Sequence, residues 1–137
     1  MITLDHIEFA VSDSSASLDF YKAALKPLGM VVVVSLGPSE AKASSRHGLG
    51  ANGYPRLWIH DGKVGGAGMH VAFSATQRSQ VDAFWKAAVT AGGVDNGPPS
   101  VRTRYHDHYY AAYVLDPDGN NIEVVCQMPV QASSTRF

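Results

Sequence analysis

Three side chains along this sequence have the chemistry of a divalent-metal site: His6, His70 and Glu123. His6 lies in LDHIEFAV, residues 4–11, where alternating polar and apolar residues predict a β-strand, and the other two lie in similar stretches. Two imidazoles and one carboxylate on one side of an ion form a facial triad, which leaves positions open for water, oxygen or a substrate. The residue types therefore predict a divalent-metal site, with Zn, Ni, Mn and Fe all compatible.

Strand alternation places these polar residues on a face of their own. His6 and Glu8 share one face of the first strand, while the intervening apolar residues share the other. The strands around His70 and Glu123 show the same division. The apolar faces must pack on a core, so the polar faces line a cavity, where Glu8 is a candidate proton acceptor. The alternatives are that the histidines are hydrogen-bonded interior residues and that Glu123 lies at a solvated sheet edge.

An internal repeat relates the two halves of the chain. The stretch HIEFAVSDSSASLDFYKAALKPLGM at 6–30 aligns without a gap to HVAFSATQRSQVDAFWKAAVTAGGV at 70–94, and 8 of the 25 positions are identical. Each copy continues with three strand-like segments. The repeat predicts an α+β fold of two tandem βαβββ modules that form curved mixed sheets around a cavity.

The repeat also sets the expected boundaries. We predict one domain over 1–128, made of modules 2–62 and 66–128, followed by a loose tail at 129–137. The helices are predicted to begin near Ser14 or Ser15 and between Thr76 and Ser79, where a hydroxyl can cap the backbone, and to end at Gly29 and Gly92–Gly93. The less regular segments at 42–48 and 98–104 are weaker strand predictions.

Composition excludes several classes of protein. The 137 residues carry 11 Lys and Arg against 12 Asp and Glu, and no basic cluster favours nucleic acid. No apolar run approaches the length of a membrane span, and the first residues do not resemble a secretion signal, so we expect a cytoplasmic protein. The single cysteine, Cys126, lies in an apolar run and is expected to be buried.

A segment at 101–115, VRTRYHDHYYAAYVL, combines aromatic and cationic side chains just before a predicted strand. Such groups suit a planar or anionic small molecule. The alternative is that the histidines are solvated loop residues and that the tyrosines simply alternate between the faces of a strand. A second metal site at His106 and His108 is a further alternative. Together with two residues from the first module, the candidate substrate-binding residues are Trp58, His60, Arg104, Tyr105, His106 and Tyr110.

The paired modules and their motifs resemble the vicinal oxygen chelate superfamily, which includes glyoxalases, bleomycin- and fosfomycin-resistance proteins and extradiol dioxygenases. The matching motifs are LDHIEFAV, SLDFYKAAL, MHVAFSA and VLDPDGNNIEVV, and the resemblance covers about residues 2–128. It implies that His6, His70 and Glu123 occupy the metal-ligand positions of the superfamily. It also implies a homodimer whose cavities contain residues of both subunits.

The resemblance implies a metal-dependent lyase, isomerase or dioxygenase that acts on a small molecule with adjacent oxygens. The rival interpretation is a metal-free protein that sequesters a small molecule, as bleomycin-resistance members do. One feature departs from glyoxalases. Their fourth metal ligand falls on Trp58 or Ile59 here, and neither side chain binds a metal. Of the nearby residues, only His60 could substitute. The potassium loop of fosfomycin-resistance enzymes has no clear counterpart either.

Overall fold

The two repeats fold as two copies of the same five-element unit in a computed structural model that describes residues 3–39, 44–65 and 68–130. The first copy contains β1 (Ile7–Val11), α1 (Ser14–Ala24), a 3-10 turn (Lys26–Leu28), β2 (Val31–Leu36), β3 (Arg46–Gly50) and β4 (Leu57–Asp61). The second contains β5 (His70–Ala75), α2 (Arg78–Thr90), β6 (Val94–Val101), β7 (Tyr110–Leu115) and β8 (Asn121–Cys126). Neither helix in the described ranges is long and apolar enough to cross a membrane.

Each unit forms its own four-stranded mixed sheet. The strand orders are β1-β4-β3-β2 and β5-β8-β7-β6, and the first strand of each unit runs parallel to its last. The predicted α+β fold class is confirmed. Two strand boundaries differ from the prediction, since β3 covers Arg46–Gly50 rather than 42–48 and β6 covers Val94–Val101 rather than 98–104. The module limits at residues 2 and 66 and the tail beyond 130 lie outside the described residues.

The helices cover one face of the sheets and leave the other face open. The side chains of Phe20, Tyr21 and Phe84 are fully buried on this side, in one apolar cluster to which both repeats contribute. The apolar members of β1 belong to the same cluster, as strand alternation predicted. Since the core fills the helix side, the polar residues of the strands lie on the open faces.

The helices begin at the predicted residues, but α1 ends at Ala24, and Gly29 ends the 3-10 turn that follows it. The caps also differ from the prediction. At α1 the carboxylate of Asp13, rather than a serine hydroxyl, accepts hydrogen bonds from the backbone N–H groups of Ser15 and Ala16 at 3.0 and 3.2 Å. The hydroxyl of Ser14 instead donates to Asp61 at the end of β4. The backbone N–H of Ser14 also donates to Asp61, and these bonds lower the pKa of its carboxyl. At α2 the cap is Gln77.

The DPDGNN turn joins the two repeats through a buried carboxylate. Asp116 accepts hydrogen bonds from its own turn, from the backbone N–H groups of Asp118 and Asn120 and from the Asn120 side chain. It also accepts a bond from the hydroxyl of Tyr21 in α1, and burial, with this carboxylate, raises the pKa of Tyr21. The carboxylate of Asp118, in the same turn, accepts hydrogen bonds from the hydroxyl and backbone N–H of Ser12.

A close backbone approach at the end of β3 leads to a stability prediction. A Cβ added to Gly50 would lie 1.8 Å from the carbonyl oxygen of Tyr54, whereas a Cβ at Gly37 would meet nothing within 4 Å. We expect Gly50→Ala to lower the free energy of unfolding by about 2 kcal/mol or more, because the backbone must shift. Urea unfolding of both alanine variants tests this, and equal losses at the two positions would contradict the interpretation.

Candidate functional site

The open face of the second sheet brings together one of the predicted imidazoles and the predicted carboxylate. The Nε2 of His70 lies 2.9 Å from the Oε1 of Glu123, on adjacent parallel strands. Glu123 is only 2% exposed, while 48% of the His70 side chain is exposed. The carboxylate therefore lies on the open side of the sheet but is shielded from solvent by its neighbours.

Two tyrosines complete the surroundings of Glu123. The hydroxyl of Tyr109 donates to Oε2 at 2.5 Å, and Tyr113 lies directly opposite Glu123 on β7. Burial and the neighbouring carboxylate raise the pKa of both phenols, which are therefore neutral hydrogen-bond donors at pH 7. The ring of Tyr113 also lies 6.1 Å from that of His70, between centroids. Aromatic side chains thus flank the His70–Glu123 pair on one side.

The spacing of the pair fits a bound ion. Two metal–ligand bonds of about 2.1 Å at a right angle separate their donor atoms by about 3.0 Å. The Nε2 of His70 and the Oε1 of Glu123 are 2.9 Å apart, and an imidazole nitrogen with a carboxylate oxygen is a donor set for borderline divalent ions. These two residues could therefore hold adjacent positions on one ion.

The other predicted imidazole lies at the start of the first sheet. The Nδ1 of His6 bonds to Asp5 at 2.7 Å, and Asp5 in turn accepts a bond from the hydroxyl of Tyr54. These hydrogen bonds lower the pKa of Asp5, with the His6 bond contributing most. A carboxylate on Nδ1 leaves Nε2 as the nitrogen that faces outward, as in many metal-ligating histidines. Within the described residues of one chain, however, no three His, Cys, Asp or Glu side chains form a metal site.

The open face of the first sheet carries a different cluster. Both carboxylate oxygens of Glu8 accept from the guanidinium of Arg46, at 2.8 and 3.0 Å, and one of them also bonds the Nδ1 of His60 at 2.9 Å. The Arg46 guanidinium lies 4.6 Å from the ring centroid of Trp58. The bond from Arg46, opposed by partial burial, lowers the pKa of Glu8. Glu8 is therefore an anion held in place rather than a free base.

Strand register shows how the two sheets correspond. Ile7 pairs with Leu57 in the first unit, and Val71 pairs with Ile122 in the second, so the next residue along each last strand is equivalent. Trp58 thus occupies in the first unit the position that Glu123 occupies in the second. From the sequence, the position of the fourth metal ligand of glyoxalases fell on either Trp58 or Ile59. The strand register makes Trp58 the residue equivalent to Glu123.

The remaining candidate residues separate into two groups. Tyr105 and His106 lie against Tyr109, with ring centroids 4.7 and 5.6 Å apart, so the structure brings them near Glu123. Arg104 is one step farther out, stacked 4.9 Å from the ring of Tyr105. Tyr110 lies on the opposite side of the sheet, where its hydroxyl donates to Asp82 of α2. The structure does not bring Tyr110 to the open face.

Three residues of these clusters were absent from the sequence-based site. Tyr109 and Tyr113 are four residues apart and so have the same strand parity, a signal that alternation in this segment could have given, and Tyr113 lies opposite Glu123. Arg46 had no such signal, because its strand was predicted only weakly and its register with β4 cannot be read from the sequence. Burial of Cys126, at 1% exposure, is confirmed.

Comparisons with known proteins agree with this architecture. A family model, the Glyoxalase/Bleomycin resistance protein/Dioxygenase superfamily, matches residues 3–124. A glyoxalase/bleomycin resistance protein from Albidiferax ferrireducens is 27% identical, with a TM-score of 0.72 over 91% of this chain and 98% of that one. A search of curated proteins found no match.

Two more distant structures share the fold. One is a mutant of the fosfomycin resistance protein FosX from Listeria monocytogenes, in complex with Mn(II) and 1S,2S-dihydroxypropylphosphonic acid; it is 20% identical, with a TM-score of 0.67 over 95% of this chain and 96% of that one. The other is a mutant of glyoxalase I from Zea mays, 17% identical, with a TM-score of 0.67 over 89% of this chain and 43% of that one. With the family model spanning nearly the whole chain, this protein belongs to the Glyoxalase/Bleomycin resistance protein/Dioxygenase superfamily.

Proposed function

We propose that this protein is a divalent-metal-dependent enzyme of the lyase, isomerase or dioxygenase type that acts on a small molecule with adjacent oxygens. The observation that carries the proposal is the buried Glu123 carboxylate, paired with His70 at a spacing that suits two donors on one ion. Zn, Ni, Mn and Fe all accept these donors. A divalent ion held here would bind substrate oxygens and stabilise negative charge as it develops on them.

We further propose that His6 of a second copy completes the donor set in a homodimer. The support is that a single chain contains no three-ligand group among its described residues, while the Asp5 bond leaves the outer nitrogen of His6 free for an ion. A two-fold dimer would then hold two identical sites, each with one open face from each subunit.

The side chains around the pair give the site its selectivity. Tyr109 holds one oxygen of Glu123, which directs the other oxygen toward His70. Trp58 stands where a glyoxalase would have its fourth protein ligand, as the resemblance implies, and indole does not bind divalent ions. The proposed site therefore keeps one more position for substrate than a glyoxalase site, and Tyr105 and His106 form an aromatic rim suited to a planar or anionic ligand.

The test is a complementation experiment on tag-free protein. Metal analysis and calorimetry with Mn(II) or Zn(II) should give one ion per wild-type chain, and His6→Gln or Glu123→Gln alone should remove it. Unfolding and refolding the two variants together should restore binding in about a quarter of the sites, because one site of each mixed dimer is intact. Sedimentation should show the dimer.

Three results would contradict the proposal. Wild-type protein that binds no added ion would favour the metal-free sequestering protein instead. Ion binding that survives His6→Gln would remove His6 from the site. If the two variants still bind no ion after refolding together, although native mass spectrometry shows mixed dimers, all ligands would lie within one chain.

A further inference from the structure

The cluster of Glu8, Arg46 and His60 on the first sheet contains an imidazole that is hydrogen-bonded through one of its two ring nitrogens. The Nδ1 of His60 lies 2.9 Å from the Oε2 of Glu8. A carboxylate can only accept hydrogen bonds, so Nδ1 carries the proton and donates it. In the neutral ring the other nitrogen, Nε2, then has a bare lone pair. About a third of the His60 side chain, 33%, is exposed, on the open face of the sheet.

Glu8 is itself held rigidly. Its two oxygens receive the two-pronged hydrogen bond of Arg46, and Arg46 lies on the indole of Trp58. This arrangement holds the Glu8 carboxylate in one place, because a fork of two charge-assisted bonds fixes both distance and plane. In this cluster Arg46 holds Glu8 in place, and Glu8 orients His60. A catalytic base is often oriented in this way by a second group that a third group holds.

The fold does not require this arrangement. By the same register, the positions of Glu8 and His60 are taken in the second unit by Ala72 and Val125. The equivalent sheet therefore forms without any ionisable pair at these positions. The Glu8–His60 pair at these two positions is thus particular to the first sheet, and the fold itself does not require it.

We propose that the Nε2 of His60 accepts a proton from a carbon acid, a small molecule with a C–H bond next to a carbonyl group. The substrate C–H bond breaks, its electron pair stays on the substrate as an enolate, and the proton moves to Nε2. Glu8 stabilises the resulting imidazolium, which returns the proton to a carbon or oxygen of the substrate. Glu8 is then a positioning residue, and His60 is the catalytic residue.

The inference rests on the proposed function, because His6 and His60 lie on the same sheet face and would enter the same cavity of a dimer. It favours isomerase or lyase chemistry over oxygen activation, since proton abstraction next to a carbonyl begins both of those reactions.

A carbon acid that needs no metal tests the base separately from the metal site. 5-Nitrobenzisoxazole loses its C–H proton to a base while its N–O bond breaks, which releases a coloured phenolate. With a chelator present, wild-type protein should accelerate this reaction above buffer, and His60→Gln should lower the protein-dependent rate about 100-fold. Glu8→Gln should lower it as well, and His47→Gln, whose imidazole lies on the other face of the sheet against Ser35, should leave it unchanged.

A second measurement separates orientation from folding. Long-range ¹H–¹⁵N spectra of the six histidines, with His60 assigned by its absence in His60→Gln, should show protonated Nδ1 and bare Nε2 in wild-type protein. Glu8→Gln should mix the two tautomers while circular dichroism shows an unchanged fold. A protonated Nε2 in neutral wild-type protein, no rate above buffer, or full activity in His60→Gln would each overturn the assignment. Failure of metal binding alone would not affect these results.

Discussion

Replacing Glu123 by Gln is expected to weaken binding of Mn(II) or Zn(II) by about 100-fold or more, because the proposed anionic ligand becomes a neutral amide. The amide keeps the volume of the carboxylate and can still accept the hydrogen bond from Tyr109. We therefore expect the fold to survive. Competition with a chromophoric chelator measures the affinity, and thermal unfolding followed by circular dichroism measures the stability.

The matched control is Asp19→Asn, which makes the same chemical change on the exposed surface of α1. It should leave metal affinity unchanged within the error of the measurement. If Glu123→Gln bound the ion as tightly as Asp19→Asn, Glu123 would not be a ligand and the metal proposal would fail. If both variants lost affinity equally, the effect would come from net charge rather than from the site.

Replacing Asp116 by Ala is expected to lower the free energy of unfolding by about 3 kcal/mol. The carboxylate is 4% exposed and accepts four hydrogen bonds, one of them from the Tyr21 hydroxyl in the other repeat. Its removal leaves the buried hydroxyl of Tyr21 without this acceptor and removes the bonds that order the turn before β8. Urea unfolding monitored by tyrosine fluorescence and circular dichroism measures the loss.

Tyr21→Phe and the double variant complete the cycle for Asp116. The single change Tyr21→Phe should cost about 1 kcal/mol, because the carboxylate keeps its bonds within the turn. In the double variant no hydroxyl is left unpaired, so the combined loss should be smaller than the sum of the single losses. Strictly additive losses would show that the two residues do not interact in solution.

The sequence predicted those parts of the structure that depend on local periodicity. Two-residue alternation alone placed His70 and Glu123 on the polar faces of their strands, and the structure has their side chains 2.9 Å apart. The repeat predicted the order of the elements, because copies of one sequence pattern fold by the same rules.

The parts that were missed depend on register and on contacts between distant strands. The offset between the repeats is 64 at His6 and His70 but 65 at Trp58 and Glu123, a shift that only strand pairing reveals. The bond between Arg46 and Glu8 joins residues 38 positions apart, on strands that are separated by β4. Neither the types of these residues nor their spacing in the sequence predicts such a contact.

The equivalence of Trp58 and Glu123 has a consequence for how this chain can change over evolution. The first unit carries a carboxylate on its opening strand and an indole on its closing strand, while the second carries Ala72 and Glu123 at those places. The two halves therefore carry different polar residues at equivalent positions, and neither duplicates the other. A chain built from two first units would lack the Glu123 carboxylate, and one built from two second units would lack the Glu8–His60 pair. Loss of either half cannot be compensated by the one that remains.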